Sequence, residues 1–376
     1  MSSLVSIIIP CFNAAETIDR ALRACLSQSY GHLEIILVDN NCTDATVTKA
    51  ENTLSGCGYP WQVIPCTKQG VNHARNTGFR ASHGQYVQWL DSDDQMSSNK
   101  IAKQVHALES SDAADIAYCD WDWCFHLNPA AADQQFSELT RMVLGAVYGE
   151  RRWTRHGPGG QLAVQHFKLN QYDDYLLRLL EDKWVPPVAY LMRRSIAEAL
   201  AAHGLWDPTI RLATDRQYFS SAALLGAEFR YVGGVLAVYN AWSSGQTTLG
   251  ARDTERAASL AKIFQKLRSL SVGARLTRDH LFLLAQNFRQ YVNVPQGEVQ
   301  LEDLSTDSQL SVATCAEIER ILSRYSQPAT LERHAKIIAS SSPRLWGQHL
   351  SIMRYLDRLQ RAGRLVPADN EESIPQ

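Results

Sequence analysis

Val5-Ser6-Ile7-Ile8-Ile9-Pro10-Cys11-Phe12-Asn13 is the stretch whose reading decides the fold. From Leu4 the chain runs apolar and β-branched, without polar alternation, until proline stops it. That pattern describes a strand buried on both faces, as in a parallel sheet. A polar turn follows, and Ile18, Ala21, Leu22, Cys25 and Leu26 then recur at the spacing of an amphipathic helix. Asn13, with Glu16 three positions on, is expected to satisfy the free amides at that helix start.

Working outward, Leu33 to Val38 repeats the buried-strand pattern and ends in the polar turn Asp39-Asn40-Asn41-Cys42-Thr43-Asp44. Further strands are expected at Trp61 to Ile64, Tyr86 to Leu90 and Ile116 to Tyr118, with helical stretches between them. Strands alternating with helices at this spacing predict an α/β/α sandwich built on a mostly parallel, Rossmann-like sheet. Ligands of such sheets gather at the carboxyl ends of the strands. Three of those ends carry Asn13, Asp39 and Asp91, so their polar groups are expected to share one crevice.

From about Trp121 to Gly160 the pattern degrades, and a long loop with helical pieces is expected there. Regularity returns with a helix over Asp173 to Leu180, a strand over Val188 to Met192, a helix from near Asp215 and a strand over Phe229 to Tyr239. After about Gly250 the stretches Glu255 to Leu270, Leu276 to Val292, Ala316 to Tyr325 and Leu345 to Leu359 read as amphipathic helices. The division expected is therefore 1–249, split into halves at 1–118 and 119–249, followed by a helical C-terminal region at 250–376.

With 376 residues, a net charge of -2 and 20% charged residues, nothing in the composition argues for a nucleic acid partner. The eight cysteines lack the paired spacing of a structural zinc site and are expected to be reduced, which suits a cytoplasmic protein. No run approaches the roughly 20 apolar residues of a membrane span, so the expected protein is soluble or peripheral to the inner face of a membrane. The C-terminal helices suit packing or homodimer formation, and their polar faces show no strong excess of Lys and Arg.

The chemistry concentrates at Asp91-Ser92-Asp93-Asp94, directly after a buried strand. Carboxylates on a short turn can hold a divalent cation, Mn2+ or Mg2+, against the charge of a departing diphosphate. Alone, the tetrapeptide could equally be a solvated acidic turn. Its surroundings distinguish it: Val5 to Asn13, the turn at Asp39, Gly70-Val71-Asn72-His73-Ala74-Arg75-Asn76-Thr77-Gly78 and Gly84 to Asp94 together resemble glycosyltransferase family 2, whose members have the GT-A fold.

The resemblance implies a metal-dependent enzyme that moves a sugar from a nucleotide diphosphate, a UDP-sugar first of all, to a hydroxyl of a glycan or glycolipid, as in polysaccharide biosynthesis. It implies inversion in one displacement, with no enzyme nucleophile. Donor contacts are implied for Pro10, Phe12, Asn13, Asp39, Asn41, Arg75, Asp91 and Ser92, with Asp39 accepting a hydrogen bond from the base. Metal contact falls first to Asp93 and then to Asp91, with Asp94 in support. Where the family commonly has aspartate, glycine and serine after the position of Asp39, this chain has Asn40, Asn41 and Cys42, and asparagine tolerates the left-handed backbone that glycine usually supplies.

A base on the acceptor side is expected in Arg211-Leu212-Ala213-Thr214-Asp215-Arg216-Gln217-Tyr218-Phe219, with Asp215 the candidate. Asp at a helix start is also a favoured cap, and the helix dipole would weaken it as a base unless Thr214 caps in its place. Aromatic and basic residues between the metal motif and the base, Trp121, Trp123, Arg151, Arg152, Trp153, His156 and Trp184, suit an acceptor lid, since sugar faces stack on aromatics; Trp184 and Trp123 are the named candidates. Tyr239 to Thr248 resembles a segment that folds over the diphosphate, with Asn240 where arginine is usual. Two other readings are a nucleotidyltransferase, disfavoured because no glycine-rich phosphate loop follows the first strand, and a catalytically inactive nucleotide-sugar-binding or scaffolding protein.

Overall fold

A computed structural model describes residues 2–242 except 112, 129, 131, 142–153, 158–160 and 181–184, together with 259, 262, 263, 266, 267 and 270. Strands β1 (Val5–Cys11) and β2 (Leu33–Asp39) form the centre of the N-terminal half. Every residue of β1 is buried, as is all of β2 except its last residue, in keeping with apolar runs covered on both faces. They pair in parallel with each other, β1 with β4 (Tyr86–Trp89) and β2 with β3 (Trp61–Pro65). The intervening helices are α1 (Ile18–Leu26), α2 (Thr46–Leu54) and α3 (Val71–Ala81).

α1 buries Ile18, Ala21, Leu22 and Cys25, the stripe expected from the sequence. Its cap differs from expectation. Thr17 holds the cap position without a side-chain bond. Asn13, at φ 48, instead accepts hydrogen bonds from the Thr43 backbone N–H and hydroxyl at 2.8 and 3.2 Å. Its side chain thus ties the loop after β1 to the loop after β2. Gly78 lets α3 lie directly on the sheet, since a Cβ there would sit 2.4 Å from Ile8 Cγ2 and 3.0 Å from Val38 Cγ2.

The sheet runs without a break into the second half, in the order β3-β2-β1-β4-β9-β6-β10-β5. β5 (Gln95–Met96) and α4 (Lys100–Glu109) follow the acidic cluster. β6 spans Ile116–His126, far beyond the expected end at Tyr118. The reason is visible in the residues: Trp121, Trp123 and Phe125 alternate with Asp122, Cys124 and His126, a strand period in a segment read as loop. The remainder of that segment holds α5 (Ala132–Arg141) and β7 (Thr154–His156), which pairs with β8 (Leu162–Phe167).

α6 (Tyr175–Leu180), β9 (Tyr190–Arg193), α7 (Arg194–Ala201), α8 (Thr214–Leu224) and β10 (Phe229–Trp242) complete the order. β9 runs antiparallel between β4 and β6, while β10 is parallel to β6. Lys100 is fully buried beneath β4 and β9, donating to Gln88 Oε1, Gln104 Oε1 and the Tyr190 carbonyl. Burial pushes its pKa down to about 7.

The described residues of the C-terminal region are helical, and Ser259, Ile263, Leu267 and Leu270 are buried. Lys262 and Lys266 reach the Thr209 carbonyl and the Asp207 carboxylate. The other expected helices there, and with them the proposed dimer contact, lie outside the described residues. Among the described residues no helix is long and apolar enough to cross a membrane.

Candidate functional site

The parallel ladder brings the ends of β2, β1 and β4 side by side, and each strand leads into a loop of polar residues. At the end of β1, Pro10 is buried in the strand, while Phe12 is 55% exposed at the rim. At the end of β2, Asp39 Oδ1 accepts from the Cys42 N–H at 2.8 Å, which closes the turn. Asn41 takes φ 67, the left-handed backbone expected of it. Its amide donates to the Thr67 carbonyl and to Gln69 Oε1. Asn40 is buried and clamps the same loop, donating to the carbonyls of Cys66 and Lys68 and accepting from the Gly70 N–H at 2.7 Å. The asparagines therefore bind this turn to the start of α3.

The acidic cluster occupies a tight turn after β4, with the Asp94 N–H on the Asp91 carbonyl at 3.0 Å. Its three carboxylates have different surroundings. Asp91 is clasped by Arg75, whose Nη2 donates to both carboxylate oxygens at 2.7 and 2.9 Å. Asp94 is fully buried and accepts from the Asn240 N–H at 2.9 Å; burial and the charges of Asp93 and Asp91 hold its pKa well above the usual carboxylate range. Its Oδ2 has no hydrogen-bond partner among the described residues. Asp93 carries neither engagement, and burial followed by the charge of Asp91 pushes its pKa up to about 7, against the opposing charges of Arg20 and Arg75.

This donor set fits a divalent cation of one kind. Among the described residues no three His, Cys, Asp or Glu side chains form a complete protein cage. A hard cation that arrives on a diphosphate needs only one or two carboxylates, because phosphate oxygens and water supply the rest. Crowded carboxylates in a buried turn supply hard oxygen and a charge that such an ion would relieve. Asp93, with Asp91 beside it, meets that requirement.

Opposite the cluster, Asp215 lies in the first turn of α8. Neither Asp215 nor Thr214 caps the helix; Ala213 does, at φ 54 and without a side-chain bond. Asp215 is 9% exposed, and burial pushes its pKa up to about 6, countered by the Arg216 backbone N–H and the Arg75 charge. The expected depression by the helix dipole is thus outweighed by desolvation. Arg75 bridges the two sides: besides clasping Asp91, its Nη1 donates to Thr214 Oγ1 at 3.4 Å.

Residues 6–173 match the family model described as glycosyl transferase family 2. Over that stretch the chain is similar to that family. An uncharacterized glycosyltransferase of Haemophilus influenzae is 32% identical over 121 residues, covering 31% of this chain and 48% of that protein. The Escherichia coli protein named UDP-Glc:alpha-D-GlcNAc-diphosphoundecaprenol beta-1,3-glucosyltransferase WfaP is 35% identical over 114 residues, 28% of this chain and 42% of WfaP. The matched stretch thus spans less than half of either relative. Among solved structures, S. aureus TarS 1-349 in complex with UDP-GlcNAc shares the fold, with a TM-score of 0.56 at 14% identity over 96% of this chain and 88% of that chain.

The family match stops before Asp215 and β10, so the acceptor side rests on geometry. There the structure adds His126 to Tyr239 and Asn240, the two residues that open the expected donor flap. The Tyr239 hydroxyl has its pKa raised well above the usual value by burial and by Asp94, Asp93, Asp91 and Asp215. Asn240 bonds to Asp94 and, through its amide, to the Asp93 carbonyl at 2.8 Å, and His126 Nε2 lies 2.9 Å from its Oδ1. The signal for His126 was the unread alternation of β6 and its register with β10. Trp123 is half-buried and packs edge to face against Tyr239, 6.1 Å between ring centroids. Trp121 is instead a core residue, fully buried and stacked on Phe167 at 3.8 Å. His156 is exposed on β7. Trp184, Arg151, Arg152, Trp153 and residues 243–248 of the expected donor flap lie outside the described residues.

Proposed function

We propose that the protein transfers a sugar from a nucleotide diphosphate, with a UDP-sugar as first choice, to an acceptor hydroxyl by a single inverting displacement. The observation that carries this reading is Arg75, which clasps Asp91 of the acidic turn and also donates to Thr214, the neighbour of buried Asp215 in the first turn of α8. Relatives support it: WfaP is named for a UDP-glucose donor and a lipid-linked acceptor, and TarS was solved with UDP-GlcNAc.

In this reading Phe12 offers its exposed ring to the base and Asp39 accepts from a ring N–H, with Pro10, Asn13 and Asn41 shaping the pocket. Arg75, Asp91 and Ser92 meet the ribose and diphosphate. Asp93, assisted by Asp91, would hold Mn2+ or Mg2+, and the ion would supply positive charge to offset that of the diphosphate. Asp215 takes the proton of the acceptor hydroxyl as that oxygen bonds to the anomeric carbon. The bond from the anomeric carbon to the β-phosphate oxygen breaks, and its electron pair leaves with the nucleotide. A base with a pKa of about 6 is ionised at neutral pH and still basic enough to share the proton in the transition state. The acceptor proposed is a glycan or lipid-linked glycan resting against Trp123.

The test is Asp215→Asn. It should keep UDP affinity, read by calorimetry with Mn2+, while transfer from a panel of UDP-sugars falls by roughly 10²- to 10⁴-fold. Turnover at the wild-type rate would remove Asp215 from the chemistry. UDP affinity that is the same with Mn2+ and with a chelator would remove the metal.

A further inference from the structure

Arg75 is 4% exposed, yet its Nε has no hydrogen-bond partner among the described residues. A buried guanidinium with an unmet donor is costly unless something else stabilises its charge. Asp91 and Thr214 meet one end of the group. The rest lies over the indole of Trp206, with Cζ 4.2 Å from the ring centroid. A desolvated cation on an aromatic face gains more than the same pair in water.

Trp206 is itself held from several sides. It is fully buried, stacked on Tyr218 at 4.0 Å with an interplanar angle of 3°, and edge-on to Trp89 at 5.4 Å. Asn76, one residue along α3 from Arg75, clamps its backbone in both directions: Nδ2 donates to the Trp206 carbonyl at 2.7 Å, and Oδ1 accepts from its N–H at 3.1 Å. Consecutive residues of α3 therefore fix the tryptophan and rest on it. The far end of the same arginine then reaches both the end of β4 and the first turn of α8.

We propose that Trp206 is a positioning residue of the donor site: its ring holds the Arg75 guanidinium flat between Asp91 and Thr214, so that one cation joins the nucleotide side of the crevice to the helix carrying Asp215. The inference rests on the donor-site reading above. It separates Trp206 from an ordinary core residue, because its effect on ligand binding must pass through Arg75.

The experiment is a double-mutant cycle read by calorimetry, with UDP and separately GDP as probes in the presence of Mn2+. Trp206→Leu should weaken binding by about tenfold, whereas Trp206→Phe, which keeps a flat ring, should stay within about threefold of wild type. In an Arg75→Lys background, which loses the planar group, either Trp206 substitution should change affinity by less than about twofold. Equal factors for Trp206→Leu in the two backgrounds would overturn the proposal, as would Trp206→Leu binding as tightly as wild type. If the leucine variant does not fold, Trp206→Met, which also removes the flat ring, takes its place in the cycle with the same expected factors of about tenfold and less than about twofold. A wild-type protein that binds neither nucleotide would overturn the donor-site reading itself, a result distinct from loss of the positioning role alone.

Discussion

Asp215 combines a helix-start position with almost complete burial, and the second of these sets its proton affinity. Because the base proposed here must be ionised to act, kcat/KM for transfer should fall about tenfold per pH unit below a midpoint near the pKa of about 6, and level off above it. A profile flat between about pH 5 and 8 would show that no group with this affinity limits the reaction. Removing the opposing charge with Arg75→Gln should move the midpoint upward, since Arg75 favours the ionised carboxylate. The place of Asp215 at a helix start was legible in the sequence, but its environment was not. Arg75 and Asp91, which act on it, stand more than a hundred positions earlier in the chain, and local reasoning about caps and dipoles could not count them. The same holds for Asp94, whose partner Asn240 comes from β10. Asn41 was readable because its demand is local: a left-handed turn needs glycine or asparagine wherever it occurs.

At the scale of elements, α3 supplies Arg75, Asn76 and the contact that seats the helix on β1 and β2. Gly78 makes that contact possible. Alanine there gains about 1 kcal/mol of helix propensity. It also drives a methyl to 2.4 Å from Ile8 Cγ2, a β-branched atom in a fully buried strand that cannot rotate away. Overpacking of this kind costs about 1–3 kcal/mol, so the net effect of Gly78→Ala is destabilising. The urea midpoint should fall with the slope unchanged; a midpoint at or above wild type would mean that α3 can lift off the sheet without loss. The strands on either side of this helix could be read from composition alone, since apolar runs covered on both faces look like nothing else of their length. β6 could not, because its second face carries the polar Asp122, Cys124 and His126, and alternating Trp and Asp reads as irregular until the register with β10 is known.

At the scale of the whole molecule, the division of the first 249 residues into halves at 118 meets a sheet that ignores it. β9 comes from the second half yet pairs with β4 on one side and β6 on the other. Asn72 and Asn76 of α3 reach across to Asp207, Ile210 and Trp206, more than a hundred residues onward. Cutting the chain after Tyr118 would remove β9 and β10, uncover the edges of β4 and of the remaining stub of β6, and expose Trp89, whose ring packs on Trp206 and Tyr218. An exposed apolar edge of this kind is a template for association between chains. The fragment 1–118 should therefore show no cooperative urea transition and should elute as aggregate in size-exclusion chromatography. A sharp transition from a monomeric fragment would mean that the nucleotide half folds alone and that the crevice is assembled afterwards. The continuous sheet argues the reverse order: strands from both halves must pair before Asp91, Arg75 and Asp215 can meet.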